Sequence, residues 1–382
     1  MRVPWLLMLG ICLLGQASTQ SQERDGQGDW SPSAGALRPF WQGESMEGES
    51  VLFIRDATSG ESSAEVLFPV QQVLAVRNSR GDLDYEEGRD YRWEAESRKL
   101  TLPPGSRIPF RTPDQLRRPA KSQRYELTHR DGNGEIYFGA ELEYAEMQTC
   151  ITYRHAPDLW QGEVPKFDSS ALPQCIKRLK GGQELSIVAL GDSITAGANA
   201  SGKFNAPPFQ PAYPELVRHG LAKHYRVDVQ LTDLAVGGTD TAWGITQVDK
   251  VVAAKPHLVL LAFGMNDSAG RTAADYQSNT KKIIEAIRQD LPECEFVLVA
   301  SMLGNRNWIR LKHDVFPQYR DALDQLRAPG VALADLTSTW SRFLELKQDW
   351  DLSGNGVNHP NDFGHRIYAQ TILSLLIAPE SR

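Results

Sequence analysis

Leu185-Ser186-Ile187-Val188-Ala189-Leu190-Gly191-Asp192-Ser193-Ile194-Thr195-Ala196-Gly197 is the stretch on which the reading of this chain turns. Leu185–Leu190 is apolar without a clean in–out alternation, the pattern of a strand buried on both faces. It runs into a Gly-Asp-Ser turn, and Gly191 and Gly197 permit close backbone approach there. The turn predicts a strand-to-helix junction, with Ser193 at a helix N-terminus whose dipole favours developing negative charge. Asp192 and Ser193 are also good N-caps, so the string alone admits a purely structural role.

The same rhythm recurs towards the C-terminus at Val227–Leu231, Leu258–Phe263, Phe296–Ala300 and Val331–Ala334, with helical patterns between. One of these is explicit: Tyr276, Thr280, Ile283, Ile284, Ile287 and Leu291 share a face, while Lys281, Lys282, Glu285 and Arg288 point away. Buried strands alternating with amphipathic helices predict an α/β fold, a three-layer parallel sheet flanked by helices, over residues 185–382.

Upstream the pattern changes. Residues 154–184 form a connector punctuated by Pro157, Pro165 and Pro173 and ending in Gly181-Gly182. Residues 44–153 hold short β-branched and aromatic runs, among them Val51–Ile54, Glu65–Phe68, Val73–Val76 and Glu135–Phe138, broken by turn signals such as Asp131-Gly132-Asn133-Gly134; they predict a small antiparallel β-sandwich. Residues 18–43 are polar and read as a loose leader. Residues 1–17, with Arg2 ahead of an apolar run to Leu14 and a small-residue site at Ala17, read as a secretory signal peptide. The run is short of the roughly 20 residues a spanning helix needs, so stable membrane insertion is not expected.

The chain has 382 residues, and Lys+Arg 41 against Asp+Glu 48 gives a formal charge of −7. No basic run is available to neutralise a row of phosphates, which argues against nucleic acid as a partner. With the signal peptide gone, Cys150, Cys175 and Cys294 remain. In an oxidising compartment one disulfide plus one thiol is the simplest expectation, with Cys150–Cys175 preferred because both lie about the stretch between the two halves, whereas Cys294 is far along the chain. The alternative is that all three serve as small hydrophobes.

In open parallel sheets ligands bind at the carboxyl ends of the strands, so the residues there carry the functional information. They are Gly191-Asp192-Ser193, then Val236-Gly237-Gly238-Thr239-Asp240, then Gly264-Met265-Asn266-Asp267, and, before the final helical pattern, Asn358-His359-Pro360-Asn361-Asp362. An ester carbonyl is attacked by a serine hydroxyl only when a base takes its proton, and imidazole has a suitable pKa, which makes His359 the candidate base for Ser193. Taken singly, Gly238 could be a turn residue, Asn266 an Asx-turn and His359 a loop histidine stabilised by Pro360.

In this order and spacing the four blocks resemble those of the SGNH hydrolases, also called the GDSL family of esterases, over about residues 185–378. The resemblance implies an SGNH-type fold and an oxyanion hole made by the backbone N–H groups of Ser193 and Gly238 and the side-chain amide of Asn266. It implies a secreted serine esterase acting by acyl transfer. The layout of a β-rich segment followed by an SGNH segment is similar to the two-domain acetylxylan esterases, so a short acyl group, acetyl first, on carbohydrate is the expected substrate. A lipid, thioester or small-molecule ester hydrolase is the alternative, as is a catalytically weak carbohydrate-binding relative.

One departure is plain. The family usually places an aspartate three residues before the histidine, and here that position is Gly356. Asp351, Asn355 or a main-chain carbonyl is then expected to orient His359, as in family members thought to use a Ser-His dyad and a backbone carbonyl. Asn199, Phe204, Trp243, Asn305, Asn307 and Trp308 are candidates for a pocket that stacks and hydrogen-bonds a sugar. His365 is expected to be structural. The remaining histidines show no metal-ligand spacing, and no metal or other cofactor is expected.

Overall fold

The computed structural model describes residues 30–379, apart from 32 and 34; the predicted signal peptide lies outside them. Five parallel strands, Leu185–Gly191, Val229–Asp233, Leu258–Ala262, Glu295–Ala300 and Val331–Asp335, lie in the order second, first, third, fourth, fifth. Pairing of Gly191 with Ala262 and of Ala189 with Asp233 aligns the strand ends that carry the candidate residues. The third and fourth strands are buried at every position. The second forms an edge and is largely exposed towards its end, consistent with its polar Gln230, Thr232 and Asp233.

Alternation within each strand splits the core between the two faces. Ile187, Leu258, Leu260 and Val297 pack with Leu216 and Val217 of the helix Tyr213–Tyr225 and Ile367 and Ile372 of the last helix, Asp362–Leu376. Val188, Val259, Leu261 and Leu298 pack on the other side with Ile283 and Ile287 of the helix Ala273–Asp290, whose buried residues follow the predicted face.

The N-terminal residues build a three-stranded antiparallel sheet, Ser45–Val51 with Thr149–Arg154 with Gln72–Asn78, and a five-stranded sheet of Arg92–Trp93, Ser97–Leu102, Ser62–Val70, Phe53–Arg55 and Phe110–Arg111. The one parallel pair in the latter joins Phe53–Arg55 to Phe110–Arg111. Val51, Phe53, Val66 and Tyr153 of these sheets belong to the same apolar cluster as the last helix, so the two halves share one core. Every residue of that helix except Asp362 and Arg366 is buried.

Three expectations are corrected. The stretch read as a connector contains a helix, Pro173–Lys180, that buries Cys175, Ile176 and Leu179 against the sheet. The end of the stretch read as a loose leader is fixed: Phe40 packs on Trp160 and Phe343, and Gln370 accepts from the N–H of Phe40 and donates to the carbonyl of Ala36. The Cys150–Cys175 bridge is not formed, and both thiols are free. Cys175 lies at the amino edge of the parallel sheet beside the His257 carbonyl, whereas Cys150 sits near Asp362 and Arg366 at the start of the last helix.

At the seam between the halves, Lys347 and Glu49 pair with no exposed side-chain surface on either. Glu49 also accepts from the Tyr153 hydroxyl (2.7 Å) and the Leu67 N–H (2.8 Å), and Lys347 donates to the Glu65 carbonyl (3.0 Å). Removing one member of such a pair leaves a buried charge without a partner. Lys347→Met is therefore expected to lower the unfolding free energy by about 3–5 kcal/mol in denaturant titration; a loss below about 1 kcal/mol would show that the seam does not depend on the pair.

Candidate active site

Ser193 follows the first parallel strand on a tight turn. The Asp192 carboxylate accepts from the Ile194 N–H (3.0 Å), and a Cβ at Gly191 would run into the Ala262 carbonyl. The predicted helix does not start here. Residues 193–199 form successive turns, with Ala196 N–H donating to Asp192 and Ala198 N–H to Ser193, and the next α-helix begins at Tyr213. Single N–H groups, not a long helix dipole, are what this turn offers to an anion. Burial raises the Asp192 carboxyl to about 7.

The turn after the second strand brings Gly237 and Gly238 alongside: a Cβ on Gly237 would lie 3.5 Å from that of Ser193, and Gly238 has a φ of +80°, a conformation that favours glycine. Among the described residues, the N–H groups of Ser193 and Gly238 make no hydrogen bond. After the third strand, Asn266 donates one amide hydrogen to the Thr239 carbonyl (2.8 Å), which leaves the other available. Asp267 secures this turn by accepting from the Thr241 N–H (3.2 Å) and from Arg271 (2.7 Å). The three expected oxyanion donors therefore lie at the carboxyl ends of three neighbouring strands, with the Gly237–Gly238 turn beside Ser193 and Asn266 tied to it through Thr239.

His359 lies between the short helix Asp349–Leu352 and the last helix, with Nε2 2.8 Å from Ser193 Oγ. Its loop is closely tied. The Asn355 amide oxygen accepts from the N–H groups of Val357 (2.8 Å), Asn358 (3.0 Å) and His359 (3.2 Å), and Asn305 donates to the Gly356 carbonyl (2.8 Å). The N-terminal half adds further ties: Gly139 N–H donates to the Asn355 carbonyl (3.1 Å), and the Gln148 amide to the carbonyls of Trp350 (2.6 Å) and Ser353 (2.8 Å). Burial depresses the His359 imidazole to about 4, with His365 acting in the same direction, so the ring is neutral and able to accept a proton at neutral pH. His365 Nε2 lies 3.1 Å from the Ala198 carbonyl.

The expected orienting groups fare differently. Asp351 does not reach His359: its carboxylate accepts from the N–H groups of Leu52 (2.8 Å) and Gln348 (3.1 Å), near Lys347. Asn355 is in contact, with Nδ2 3.0 Å from His359 Nδ1. A second contact was not expected in this role: Asn199 Oδ1 lies 2.9 Å from the same nitrogen. The sequence signal for it is slight, an asparagine at the end of the serine turn, a residue type that tolerates the left-handed φ of +62° found there.

Several of the sugar-pocket candidates are engaged within the protein. Asn305 is engaged with Gly356 and with the Asn307 N–H (2.9 Å). Trp308 packs against Leu127, Ile136, Val357 and Phe138. Trp243 lies edge-on to Phe263 at 6.3 Å, and Phe204 is part of a short 3-10 turn, Ser201–Phe204.

Residues 189–367 match the model of the GDSL-like Lipase/Acylhydrolase family. No curated protein matches the chain. Among solved structures, a two-domain esterase active on acetylated mannans is 17% identical, with 58% of this chain and 59% of that chain covered at a TM-score of 0.45. An acetylxylan esterase from Geobacillus stearothermophilus is 17% identical over 50% of this chain and 92% of that chain, with a TM-score of 0.42. A putative GDSL-like lipase from Parabacteroides merdae is 16% identical over 50% and 95%, also at 0.42. The match thus spans 59% of the two-domain esterase's length.

Since Asp351 acts at the seam and Asn355 within the loop, their variants should separate. Asp351→Asn is expected to leave kcat/KM on a short ester within about threefold, whereas Asn355→Ala, which frees three loop N–H groups, should lower it by about tenfold or more. Equal losses in the two would contradict this division.

Proposed function

We propose, from the match of residues 189–367 to the GDSL-like lipase/acylhydrolase family model, that the chain is a carboxylic ester hydrolase, an exported serine esterase that removes short acyl groups, acetyl first, from carbohydrate. The observation that carries the reading is the 2.8 Å contact between Ser193 Oγ and His359 Nε2 beside three unspent hydrogen-bond donors.

In this mechanism the Ser193 oxygen attacks the ester carbonyl carbon while its proton passes to His359 Nε2. The carbonyl oxygen becomes an oxyanion held by the N–H groups of Ser193 and Gly238 and the free amide hydrogen of Asn266. His359 returns the proton to the departing alcohol oxygen, leaving an acyl group on Ser193. Water, deprotonated by the same imidazole, then attacks the acyl carbon and releases the acid and the free serine.

The groups next to Ser193 are glycines and amides, and Gly237, Gly238 and Val236 are exposed, which suits a short acyl group on a bulky polar alcohol better than a long hydrocarbon chain. The two-domain layout noted from sequence points the same way. Export rests on the signal-peptide pattern of residues 1–17.

The test is acetate release from acetylated xylan and from p-nitrophenyl acetate by protein starting at residue 18. Ser193→Ala and His359→Ala are expected to lower kcat by about 10³-fold or more, and Asn266→Ala by about 10²–10³-fold. Because His359 is held near 4, kcat/KM is expected to stay level from pH 8 down to about 5 and to fall only below that, as the base takes up a proton. Activity that survives Ser193→Ala would reject the reading, binding of acetylated glycan without turnover would favour a carbohydrate-binding protein, and a preference for long acyl chains would favour a lipid ester.

A further inference from the structure

The orienting aspartate that the family resemblance implies is absent, and the structure gives a steric reason. Gly356 has a φ of +82°, and a Cβ added there would run into the Tyr137 carbonyl and, at 2.6 Å, the Tyr144 ring. Both belong to the N-terminal half, where Tyr144 is fully buried with Leu52 and Met147. A carboxylate at position 356 and this packing exclude each other.

We propose that Asn199 is the positioning residue of the site, its amide oxygen accepting the Nδ1–H of His359 in place of a carboxylate, and that the N-terminal half fixes this arrangement. The proposal rests on the Ser193–His359 reading and deepens it. Two amides meet His359 Nδ1, and their orientations decide between them. The Asn355 oxygen is committed to three loop N–H groups and its nitrogen is also 3.1 Å from the Asn358 amide oxygen, so it presents a donor to the ring. Asn199 donates through Nδ2 to the Gly354 carbonyl (3.1 Å) and to the Glu141 carbonyl. Turning it over would set its oxygen against both carbonyls, so Oδ1 faces the imidazole. An acceptor at Nδ1 places the ring proton there and leaves the Nε2 lone pair for the Ser193 hydroxyl.

The supports of Asn199 come from both halves. A side chain at Gly354 would collide with the Asn199 Cβ, so glycine permits the approach. Glu141 supplies its carbonyl from a left-handed conformation, φ +48°, in the N-terminal half. His365, stacked on Tyr213, holds the Ala198 carbonyl one residue before Asn199.

An amide carries no charge and gives the imidazolium no counter-ion. The titratable groups on the elements around His359 are Asp362, His365, Arg366 and Tyr368 on the last helix, Asp349 and Asp351 on the preceding short helix, Asp192 on the serine turn, and Tyr137, Glu141 and Tyr144 of the N-terminal half; Asp349 pairs with Arg306, and Arg366 donates to the Glu47 and Gly48 carbonyls. Asp351 is bound at the seam, Asp362 accepts from the Ser201 N–H (2.9 Å), and His365 is the one whose charge bears on the ring.

The experiment compares Asn199→Ala, Asn199→Asp and Gly356→Asp on p-nitrophenyl acetate, with Ser193→Ala alongside and full pH profiles. Asn199→Ala is expected to lower kcat by about 10–100-fold with KM within about twofold, because the tautomer and not substrate binding is disturbed. Asn199→Asp introduces a charge beside the imidazole and should move the acidic limb of kcat/KM up by about one pH unit or more. Gly356→Asp should lose activity, restoring a carboxylate only at the expense of the Tyr137–Tyr144 packing. Wild-type kcat and an unchanged profile in Asn199→Ala overturn the proposal. If that variant fails to fold, an acidic limb in Asn199→Asp that stays at the wild-type position overturns it. Activity retained by Ser193→Ala would instead reject the underlying serine esterase reading, whatever the Asn199 variants do.

Discussion

A histidine can take a proton from serine through Nε2 only if its own proton sits on Nδ1, and in this protein the group that meets Nδ1 with an oxygen is the neutral amide of Asn199. That constraint organises the surroundings of His359. The Asn355 amide, the Gly354 approach, the Glu141 carbonyl and the loop from Ser353 to Pro360 hold the ring in one place and one amide in one orientation. The cost is a base without a counter-ion. The gain is an imidazole that stays neutral into acid, since burial and His365 both oppose its protonation.

The N-terminal half follows from the same constraint. It shares a core with the last helix, and its contacts converge on the short segment from Lys347 to Asn361. Glu49 takes Lys347, Leu52 takes Asp351, Gln148 takes Trp350 and Ser353, Gly139 takes Asn355, and Ser50 and Gln148 take Asn361. A loop that carries a catalytic base gains its precision from such supporting contacts. On this account the β-rich residues are part of the device that holds the histidine, whatever they contribute to substrate.

The parallel sheet was legible because its strands are buried on both faces and so read as unbroken apolar runs. Ser193, Gly238 and Asn266 stood out as candidates because they follow strands at whose carboxyl ends ligands bind, and His359 because it sits just before the final helical pattern. Asn199 was noted only as a pocket residue, because its role depends on contacts with Glu141 and His359, 58 and 160 positions away. The glycine at 356 read as a loss from the family pattern, and its cause, the Tyr137 carbonyl and Tyr144 ring, lies more than two hundred residues upstream in sequence. Phe40 was hidden in a polar leader because three aromatics, Trp30, Phe40 and Trp41, among Ser, Gly and Gln do not alter a composition, though Phe40 enters the core against Trp160 and Phe343. The Cys150–Cys175 expectation rested on position in the chain, and the fold separates the two thiols.

The most direct test of the central claim is the protonation state of the His359 ring, read from long-range ¹H–¹⁵N correlations of the imidazole in the resting protein. The account predicts a neutral ring between about pH 5 and 8 with its proton on Nδ1, displaced downfield by the Asn199 hydrogen bond, and a transition to the doubly protonated form only near 4. A proton on Nε2, which would pair Nδ1 with the Asn355 amide, or a transition at 6.5 or above, would contradict it.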